Sequence, residues 1–294
     1  MSSAYFNREL SLLEFNKRVL YQAYNKSLPL MERLRFLCIF STNLDEFFEV
    51  RVGGLVERLE LPTKSPLGPD GLTEIQTLEQ ISDRAHLLVE EQYKILNGEI
   101  LPQLRDAGIR VLRRDEWTPE QIQYLKNYFI SDVLPVLSPI GLDPAHPFPR
   151  ILNKSLNFIV KLDGKDAFGR NSGRAIVQVP RSLSHIIELP IELTTQCREF
   201  VFISSIIHFF MAEIFVGMTV IDSYQFRLTR NSDIFLDEEE TEDLLRAVQG
   251  ELAQRQYGDE VRLEISDTCP TELIDFLLQR CEIKERDLYN INGP

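Results

Sequence analysis

Histidine carries protons, binds metals and in some enzymes acts as a nucleophile, and this chain of 294 residues has four. None of them belongs to an H-E-x-x-H or H-x-H arrangement. The four histidines are His86, His146, His185 and His208. The sequence also lacks a phosphate-binding loop ending in Lys and Ser or Thr, and the G-x-S-x-G turn of a nucleophilic serine. We therefore interpret the histidines as packed or surface residues and expect no catalytic residue and no metal site in this chain.

Composition and charge exclude several classes of protein. The four cysteines, Cys38, Cys197, Cys269 and Cys281, show no C-x-x-C spacing, which indicates packed thiols in a reduced, cytoplasmic protein. The net charge of -13 opposes nucleic acid and other polyanions, so phosphate binding would need a local basic site. The most apolar stretch, "FVFISSIIHFFMAEIFVGM", is too interrupted by polar residues for a transmembrane helix. No secretory signal is visible at the N-terminus.

The segment Phe40–Leu55, "FSTNLDEFFEVRVGGL", is the densest group of polar residues flanked by apolar ones. Asn43 has a glutamate, Glu46, three residues later, which is the pattern of a helix N-cap with a capping box. We therefore expect one helix to end at Ser41-Thr42 and a second helix to begin at Asn43. Phe47, Phe48 and Val52 are expected to be core residues rather than a surface that stacks on a base.

Three further features of the sequence need interpretation. Gly53-Gly54 weakens the middle of the second helix by about 1 kcal/mol per glycine, which suggests close approach of another backbone. Arg51 and Arg58 are seven residues apart and would either line an anionic path or form ion pairs. The acidic run Leu236–Asp243 is interpreted as the solvated start of a helix, with metal binding as the lesser alternative.

Periodicity divides the chain into two domains. Residues 1–107 show apolar residues at helical spacing, including one long helix that Pro102 should end or kink. Residues 108–294 mix helical patterns with alternating or β-branched runs such as "SLNFIVKLD", "RAIVQVP" and "VRLEIS". Because strands and helices do not alternate strictly, we predict an α+β fold with a helical N-terminal domain and a mixed or antiparallel sheet in the second domain.

Several ordered segments resemble the polyphosphate kinase family. They are "YFNRELSLLEFNKRVLYQA", "PLMERLRFLCIFSTNLDEFFEVRVGGL", "SPIGLDPAHPFP", "NKSLNFIV", "REFVFISSIIH" and "DLYNINGP". The resemblance implies a helical N-terminal domain followed by an α+β head domain, and it places this chain before two catalytic C-terminal domains that resemble phospholipase D. The family's phosphohistidine and Mg²⁺ ligands are therefore expected outside this chain.

The same resemblance implies the activity and the partners. The family transfers the terminal phosphate of ATP reversibly to inorganic polyphosphate, so ATP, ADP, polyphosphate and Mg²⁺ are the implied substrates and cofactor. The head domain is expected to contribute to a homodimer or homotetramer, in the cytoplasm or peripheral to the inner membrane. The alternative is an assembly or regulatory module that has no nucleotide contact.

Asn43 is the site residue that the resemblance implies, since the asparagine of the N-L-D-E-F motif contacts ATP in the family. A carboxamide offers a donor and an acceptor, which suits the edge of a purine. The segment Asp143–Pro149, "DPAHPFP", is interpreted as a rigid connector, because its prolines fix the backbone and remove amide donors. We assign no catalytic role to His146.

Overall fold

The first part of the chain is a group of helices, and the second combines helices with two β-sheets, which confirms the α+β class. The structure, a computed structural model, describes residues 5–60, 67–143, 147–164, 173–195, 197–232 and 258–293. The helices of the first part are α1 Arg8–Tyr21, α2 Leu30–Glu46, a π-helix Phe47–Val52 (π1), α3 Gly53–Glu60, α4 Glu74–Ile95, a π-helix Leu96–Ile100 (π2) and α5 Leu101–Asp106.

The second part begins with strand β1 and contains a six-stranded and a three-stranded sheet. Its strands are β1 Ile109–Val111, β2 Ser138–Gly141, β3 Asn157–Asp163, β4 Arg174–Gln178, β5 Ile186–Glu188, β6 Arg198–Phe202, β7 Thr219–Arg230, β8 Glu260–Ser266 and β9 Leu288–Ile291. The sheet orders are β2-β4-β3-β7-β8-β9 and β1-β6-β5. Only the β8–β9 and β1–β6 pairs are parallel in these sheets, so the prediction of a mixed sheet is correct.

Short helices connect and cover these strands. They are α6 Pro119–Tyr128, a π-helix Phe129–Val133 (π3), α7 Ile203–Phe209, α8 Met211–Ile214 and α9 Thr271–Arg280. Turns of 3₁₀ helix lie at Gln22–Tyr24, Arg114–Glu116, Leu134–Val136, Ile191–Leu193 and Glu285–Asp287. Thr118 caps α6 as its sequence pattern predicts, because its hydroxyl accepts a hydrogen bond from Gln121 N at 3.3 Å.

Alternation along β3 separates two hydrophobic cores. Phe158 and Val160 face a core shared with α6, π3 and α7, whereas Ile159 faces a core shared with α9. A further core fills the space between the helices of the first part and also includes Val261 of β8 and Tyr289 of β9. The helical part and the six-stranded sheet therefore share apolar contacts as well as polar ones.

The expected helix break at Ser41-Thr42 is wrong, and so is the prediction that Asn43 caps a helix. Helix α2 runs without interruption from Leu30 to Glu46, and π1 continues it directly. The reason is burial: the apolar stripe that includes Phe40 and Leu44, 0% and 2% exposed, stays against the core across the join. That burial outweighs the weak helix propensity of Ser and Thr, which amounts to a few tenths of a kcal/mol per residue.

The long helix passes Pro102 by changing its hydrogen-bond pattern. The helix converts to the π-helix π2 before the proline, and α5 then carries Pro102 within its first turn, where a missing N–H is tolerated. The helical path therefore extends to Asp106 instead of ending at the proline. Within the residues that the structure describes, no helix is both long and apolar enough to cross a membrane.

Two sequence predictions concern residues that the structure does not describe. The acidic run Leu236–Asp243 and the helix expected after it fall within 233–257, and His146 falls within 144–146. These predictions therefore lie outside the described residues.

Gly53 meets a close neighbour, as predicted, although the neighbour is a side chain rather than a backbone. A Cβ at Gly53 would lie 2.4 Å from Oδ1 of Asn231, and Asn231 is held by a hydrogen bond to Glu57 at 3.1 Å and by a backbone bond to Asp259. A Cβ at Gly98, in contrast, would meet no atom within 4 Å among the neighbours considered.

These surroundings predict opposite effects for two Gly→Ala substitutions. Gly53→Ala should lower the free energy of unfolding by about 1–3 kcal/mol, because overpacking outweighs the gain in helix propensity. Gly98→Ala should raise it by up to about 1 kcal/mol, because only the propensity changes. Urea unfolding of both variants measures the two effects, and a stabilised Gly53→Ala protein would show that Asn231 moves aside freely.

Candidate functional site

The segment Phe40–Leu55 packs against the six-stranded sheet, and its strongest contact is made by Asp45. The Asp45 carboxylate accepts two hydrogen bonds from the Arg227 guanidinium, both 2.9 Å long, and a further one from Arg262. Glu264 accepts from Arg227 Nε at 2.7 Å and lies 3.1 Å from Arg262 Nη2. Two carboxylates and two guanidiniums therefore balance one another, and we call Asp45, Arg227, Arg262 and Glu264 the ion cluster.

Arg262 is the most buried member of the ion cluster, with a side chain only 1% exposed. Its guanidinium carbon lies 4.6 Å from the ring centre of Phe48 and 5.9 Å from that of Tyr289. Its Nε and Nη2 also donate to the Thr229 hydroxyl, at 3.2 and 3.1 Å. Aromatic faces and polar acceptors together offset the cost of burying this charge.

The ion cluster shifts the pKa values of Asp45 and Arg227 in opposite directions. Burial alone raises the pKa of Asp45, but the charges of Arg227 and Arg262 and their hydrogen bonds outweigh it and hold that pKa below its ordinary value. Burial lowers the pKa of Arg227, whereas Glu264 and Asp45 raise it by more. Both shifts stabilise the ionised forms, so Asp45 and Arg227 remain charged near neutral pH.

Glu49 forms a second junction between the same segment and the second part of the chain. Its carboxylate accepts from Asn153 Nδ2 and, at 2.8 Å, from Lys154 Nζ. Asn153 in turn accepts from the backbone N–H of Arg230 at 3.0 Å, and the Glu49 carbonyl accepts from Ser232 N. One helical segment therefore binds the sheet through two separate acids four residues apart.

Asn43 lies two residues before Asp45, half-buried on helix α2. Its Nδ2 donates to Oδ1 of Asn16 on helix α1 at 3.2 Å, and Asn16 Nδ2 donates to the Phe40 carbonyl at 3.1 Å. Asn16 was not among the residues predicted from the sequence to belong to a site. The available signal was its place among the buried positions of α1, which include Leu13 and Leu20, since a polar residue on an apolar stripe needs a partner.

Exposed apolar side chains lie on the helices that carry the two asparagines. Leu12 and Phe15 precede Asn16 by four and one residues on α1, and Ile39 precedes Asn43 by one helical turn on α2. Their exposed fractions are 38%, 52% and 37%. The predicted core residues Phe47, Phe48 and Val52 are buried, by contrast, so these exposed apolar side chains belong to the outer faces of α1 and α2.

Of the two arginines Arg51 and Arg58, the structure decides the interpretation of Arg58. Arg58 Nε donates to Glu74 Oε1 at 2.7 Å, so the ion-pair alternative holds for Arg58. Arg51 lies within π1 and is half-buried. The structure brings Arg227 and Arg262 to the segment instead, from strands that sequence spacing did not connect with it.

Of the three described histidines, His86 and His208 have packing contacts and His185 is exposed, as expected of packed or surface residues. His86 stacks on Tyr289 with ring centres 4.0 Å apart, and its ring nitrogens lie 2.8 Å from the carbonyl oxygens of Ser82 and Leu288. His208 Nδ1 lies 3.0 Å from the Ser223 hydroxyl. Among the described residues, no group of three or more His, Cys, Asp or Glu side chains is placed to hold a metal ion.

A cleft of about 1040 Å³ lies between the helical part and the edges of the sheets. Its walls include three arginines, Arg105, Arg113 and Arg114, and four acids, Asp106, Asp115, Asp222 and Asp267. Burial lowers the pKa of Arg114, and the charges of Asp222 and Asp115 counter that effect. The cleft walls therefore carry no excess of positive charge of the kind that attracts a polyanion.

Comparisons with known proteins agree with one another. The polyphosphate kinase N-terminal domain matches residues 5–112, and the polyphosphate kinase middle domain matches residues 120–294. The chain is 52% identical over 293 residues to a polyphosphate kinase of Pseudomonas putida, and 50% identical over 288 residues to one of Neisseria gonorrhoeae. These matches cover 100% and 98% of this chain but only 40% and 42% of the relatives.

A solved structure gives the same result for the fold. The crystal structure of polyphosphate kinase from Porphyromonas gingivalis matches 99% of this chain with a TM-score of 0.77 and 28% sequence identity. The match covers 40% of that chain. The present chain therefore spans about 40% of the length of the relatives that it matches.

The ion cluster predicts a pH-dependent effect of Asp45→Asn. Removing one partner of a buried ion pair costs about 3–5 kcal/mol of stability. Because Glu264 still balances part of the charge, we expect Asp45→Asn to lower the free energy of unfolding by about 3 kcal/mol near neutral pH. Because the folded pKa of Asp45 lies below its unfolded value of about 3.9, the carboxylate stabilises the fold above that pH, and this contribution disappears as the pH falls through the folded pKa. The difference in the free energy of unfolding between wild type and variant should therefore shrink below about pH 4.

Chemical unfolding across pH 2–7 measures this difference, with Glu188→Gln as the matched control. Glu188 also accepts two hydrogen bonds from one arginine, Arg198, at 2.7 and 3.0 Å, but its side chain is 47% exposed. The control should change stability little because an exposed pair is screened by solvent. Equal losses in the two variants would show that the ion cluster does not hold the parts together.

Proposed function

The chain belongs to the polyphosphate kinase family, and from that premise we propose that it forms the N-terminal part of an enzyme that reversibly transfers the terminal phosphate of ATP to inorganic polyphosphate through a phosphohistidine. The observation that carries the proposal is the match of two consecutive family domains, at residues 5–112 and 120–294. We keep the division into a helical domain, 1–107, and a head domain, 108–294. ATP, ADP and polyphosphate are the substrates in this proposal.

The chemistry of phosphate transfer is assigned to residues outside this chain. The family implies Mg²⁺, which would neutralise phosphate charge, but no suitable group of three acidic, histidine or cysteine ligands occurs among the described residues. His86 and His208 are engaged in packing contacts. The cleft that His208 lines carries four acids beside its three arginines, which does not suit a phosphorylated histidine. The part played by this chain is therefore to bind and to position.

We assign that binding role to Asn43, which supplies one wall of the ATP site. A carboxamide complements the edge of a purine, because it carries a donor and an acceptor side by side. The half-buried position of Asn43, on a helix fixed two residues later by the ion cluster, supports the assignment. Exposed Leu12, Phe15 and Ile39 on the same pair of helices provide apolar surface of the kind that binds the face of a base.

A second candidate function is an assembly or regulatory module without nucleotide contact. The observation in its favour is that Asn43 already donates to Asn16. Subunit contacts are part of both candidates, and exposed apolar residues of the head domain support them: Phe209, Val216 and Ile221 are 42%, 86% and 56% exposed. The two candidates differ in whether Asn43 affects the use of ATP.

Asn43→Ala in the full-length enzyme that carries this chain should raise the KM for ATP with little change in kcat. The contact lies away from the transferred phosphate, so its loss removes uniform binding. One neutral hydrogen bond contributes about 0.5–1.5 kcal/mol, which corresponds to about two-fold to ten-fold in KM. Since Asn43 lies inside α2 and does not cap it, alanine should preserve the helix.

Thr42→Ala is the matched control for this experiment. Thr42 is the exposed neighbour of Asn43, and its hydroxyl donates to the Cys38 carbonyl of the same helix at 3.0 Å. The control should leave the KM for ATP unchanged. An unchanged KM in Asn43→Ala as well would contradict the nucleotide contact and favour the assembly module.

The isolated chain should bind nucleotide weakly at most and should not be phosphorylated. Incubation with radiolabelled ATP and Mg²⁺ should leave the chain unlabelled, whereas the full-length enzyme should form polyphosphate and release ADP. The physical reason is that His86 and His208 are held in packing contacts, and that four acids beside the three arginines of the cleft at His208 would oppose a transferred phosphate. An acid-labile, base-stable phosphate on the isolated chain would contradict this division of roles.

A further inference from the structure

The orientation of the Asn16 carboxamide is determined by a backbone carbonyl. Asn16 is 4% exposed, and one end of its amide lies 3.1 Å from the carbonyl oxygen of Phe40. A carbonyl oxygen only accepts hydrogen bonds, so the amide nitrogen of Asn16 must face it. The reverse orientation would place two buried acceptors against each other and leave both unsatisfied.

The orientation of the Asn16 amide in turn fixes the orientation of the Asn43 amide. With its nitrogen on the Phe40 carbonyl, Asn16 turns its Oδ1 toward Asn43, and the two side chains meet at 3.2 Å. Because Oδ1 only accepts, Asn43 must present its NH₂ group to Asn16. The Asn43 oxygen therefore points away from Asn16, and no described residue donates a hydrogen bond to it.

The side of the Asn43 amide that faces away from Asn16 consequently has a fixed order of hydrogen-bond acceptor and donor. It offers an acceptor oxygen and the second N–H of the amide. This order complements adenine, in which the 6-amino donor lies beside a ring nitrogen that accepts. Guanine and hypoxanthine carry an acceptor oxygen at position 6 instead, so they would place oxygen against oxygen.

We propose that Asn16 is a positioning residue that fixes the Asn43 amide so that the ATP site selects adenine over 6-oxopurines. The inference rests on the proposed contact between Asn43 and ATP. Asn16 itself is too buried to touch a nucleotide and acts through Asn43. Without it, the Asn43 amide is free to turn over and to present either polarity to the base.

The first test uses the unmodified full-length enzyme with ATP and with inosine triphosphate, which carries oxygen in place of the 6-amino group. A bidentate contact of fixed polarity discriminates by about five-fold or more, so kcat/KM should favour ATP by at least this factor. Equal kcat/KM for the two nucleotides would overturn the proposal. This test needs no variant to fold.

The second test compares two substitutions at Asn16. Asn16→Leu, similar in size, removes both hydrogen bonds and should reduce the ATP preference several-fold, through KM rather than kcat. Asn16→Asp retains an acceptor toward Asn43, and burial favours the protonated carboxyl, which can still donate to the Phe40 carbonyl, so this variant should keep the preference. Ile81→Val, a buried change on α4, is the control for lost stability and should lower Tm without altering the preference. A preference unchanged in Asn16→Leu, or lost in Asn16→Asp, would overturn the positioning role.

The outcome with Asn43→Ala separates this inference from the proposed function. If Asn43→Ala leaves the KM for ATP unchanged, the nucleotide contact fails, and the role of Asn16 fails with it. If Asn43→Ala raises that KM while Asn16→Leu preserves the ATP preference, the contact stands and only the positioning role is overturned. If both variants lose the preference and Ile81→Val retains it, the proposal is supported.

Discussion

The salt bridge between Asp45 and the guanidiniums of Arg227 and Arg262 is the constraint on which the arrangement of this chain depends. Arg262 has almost no exposure, so an unpaired charge at this position would cost several kcal/mol. The carboxylates that balance it come from helix α2, through Asp45, and from strand β8, through Glu264. The helical part and the sheet are therefore held in one relative position by a set of charges that is complete only when both are present.

The same constraint explains why so many polar residues are concentrated in one short helical segment. Its face toward the sheet carries Asp45, Phe48 and Glu49, each of which contacts the second part of the chain. Its face toward helix α1 carries Asn43. The π-helix that follows α2 adds a residue to a turn, a feature often found at functional sites. In our proposal, rigid attachment to the sheet is what makes Asn43 a fixed point of contact for a nucleotide.

Local patterns predicted the helices of the first part, the cap at Thr118 and the mixed sheet, because those features depend on periodicity and turn chemistry. The same local rules failed at Asn43. An asparagine with glutamate three residues later fits a capping box, but burial of Phe40 and Leu44 keeps the helix continuous. Local patterns could not identify the partners of Asp45 either, because Arg227 lies 182 residues further along the chain. The family resemblance identified Asn43, whereas only the fold shows its bond to Asn16.

A structure of the full-length enzyme bound to a non-hydrolysable ATP analogue would test the nucleotide contact of Asn43 most directly. We expect the purine against the outer face of helices α1 and α2, with Asn43 Oδ1 about 3 Å from the 6-amino group. We also expect Asn43 Nδ2 to remain bonded to Asn16 and the ion cluster to be unchanged. A purine bound without any contact to Asn43 would contradict the nucleotide contact and leave this chain with a role in assembly alone.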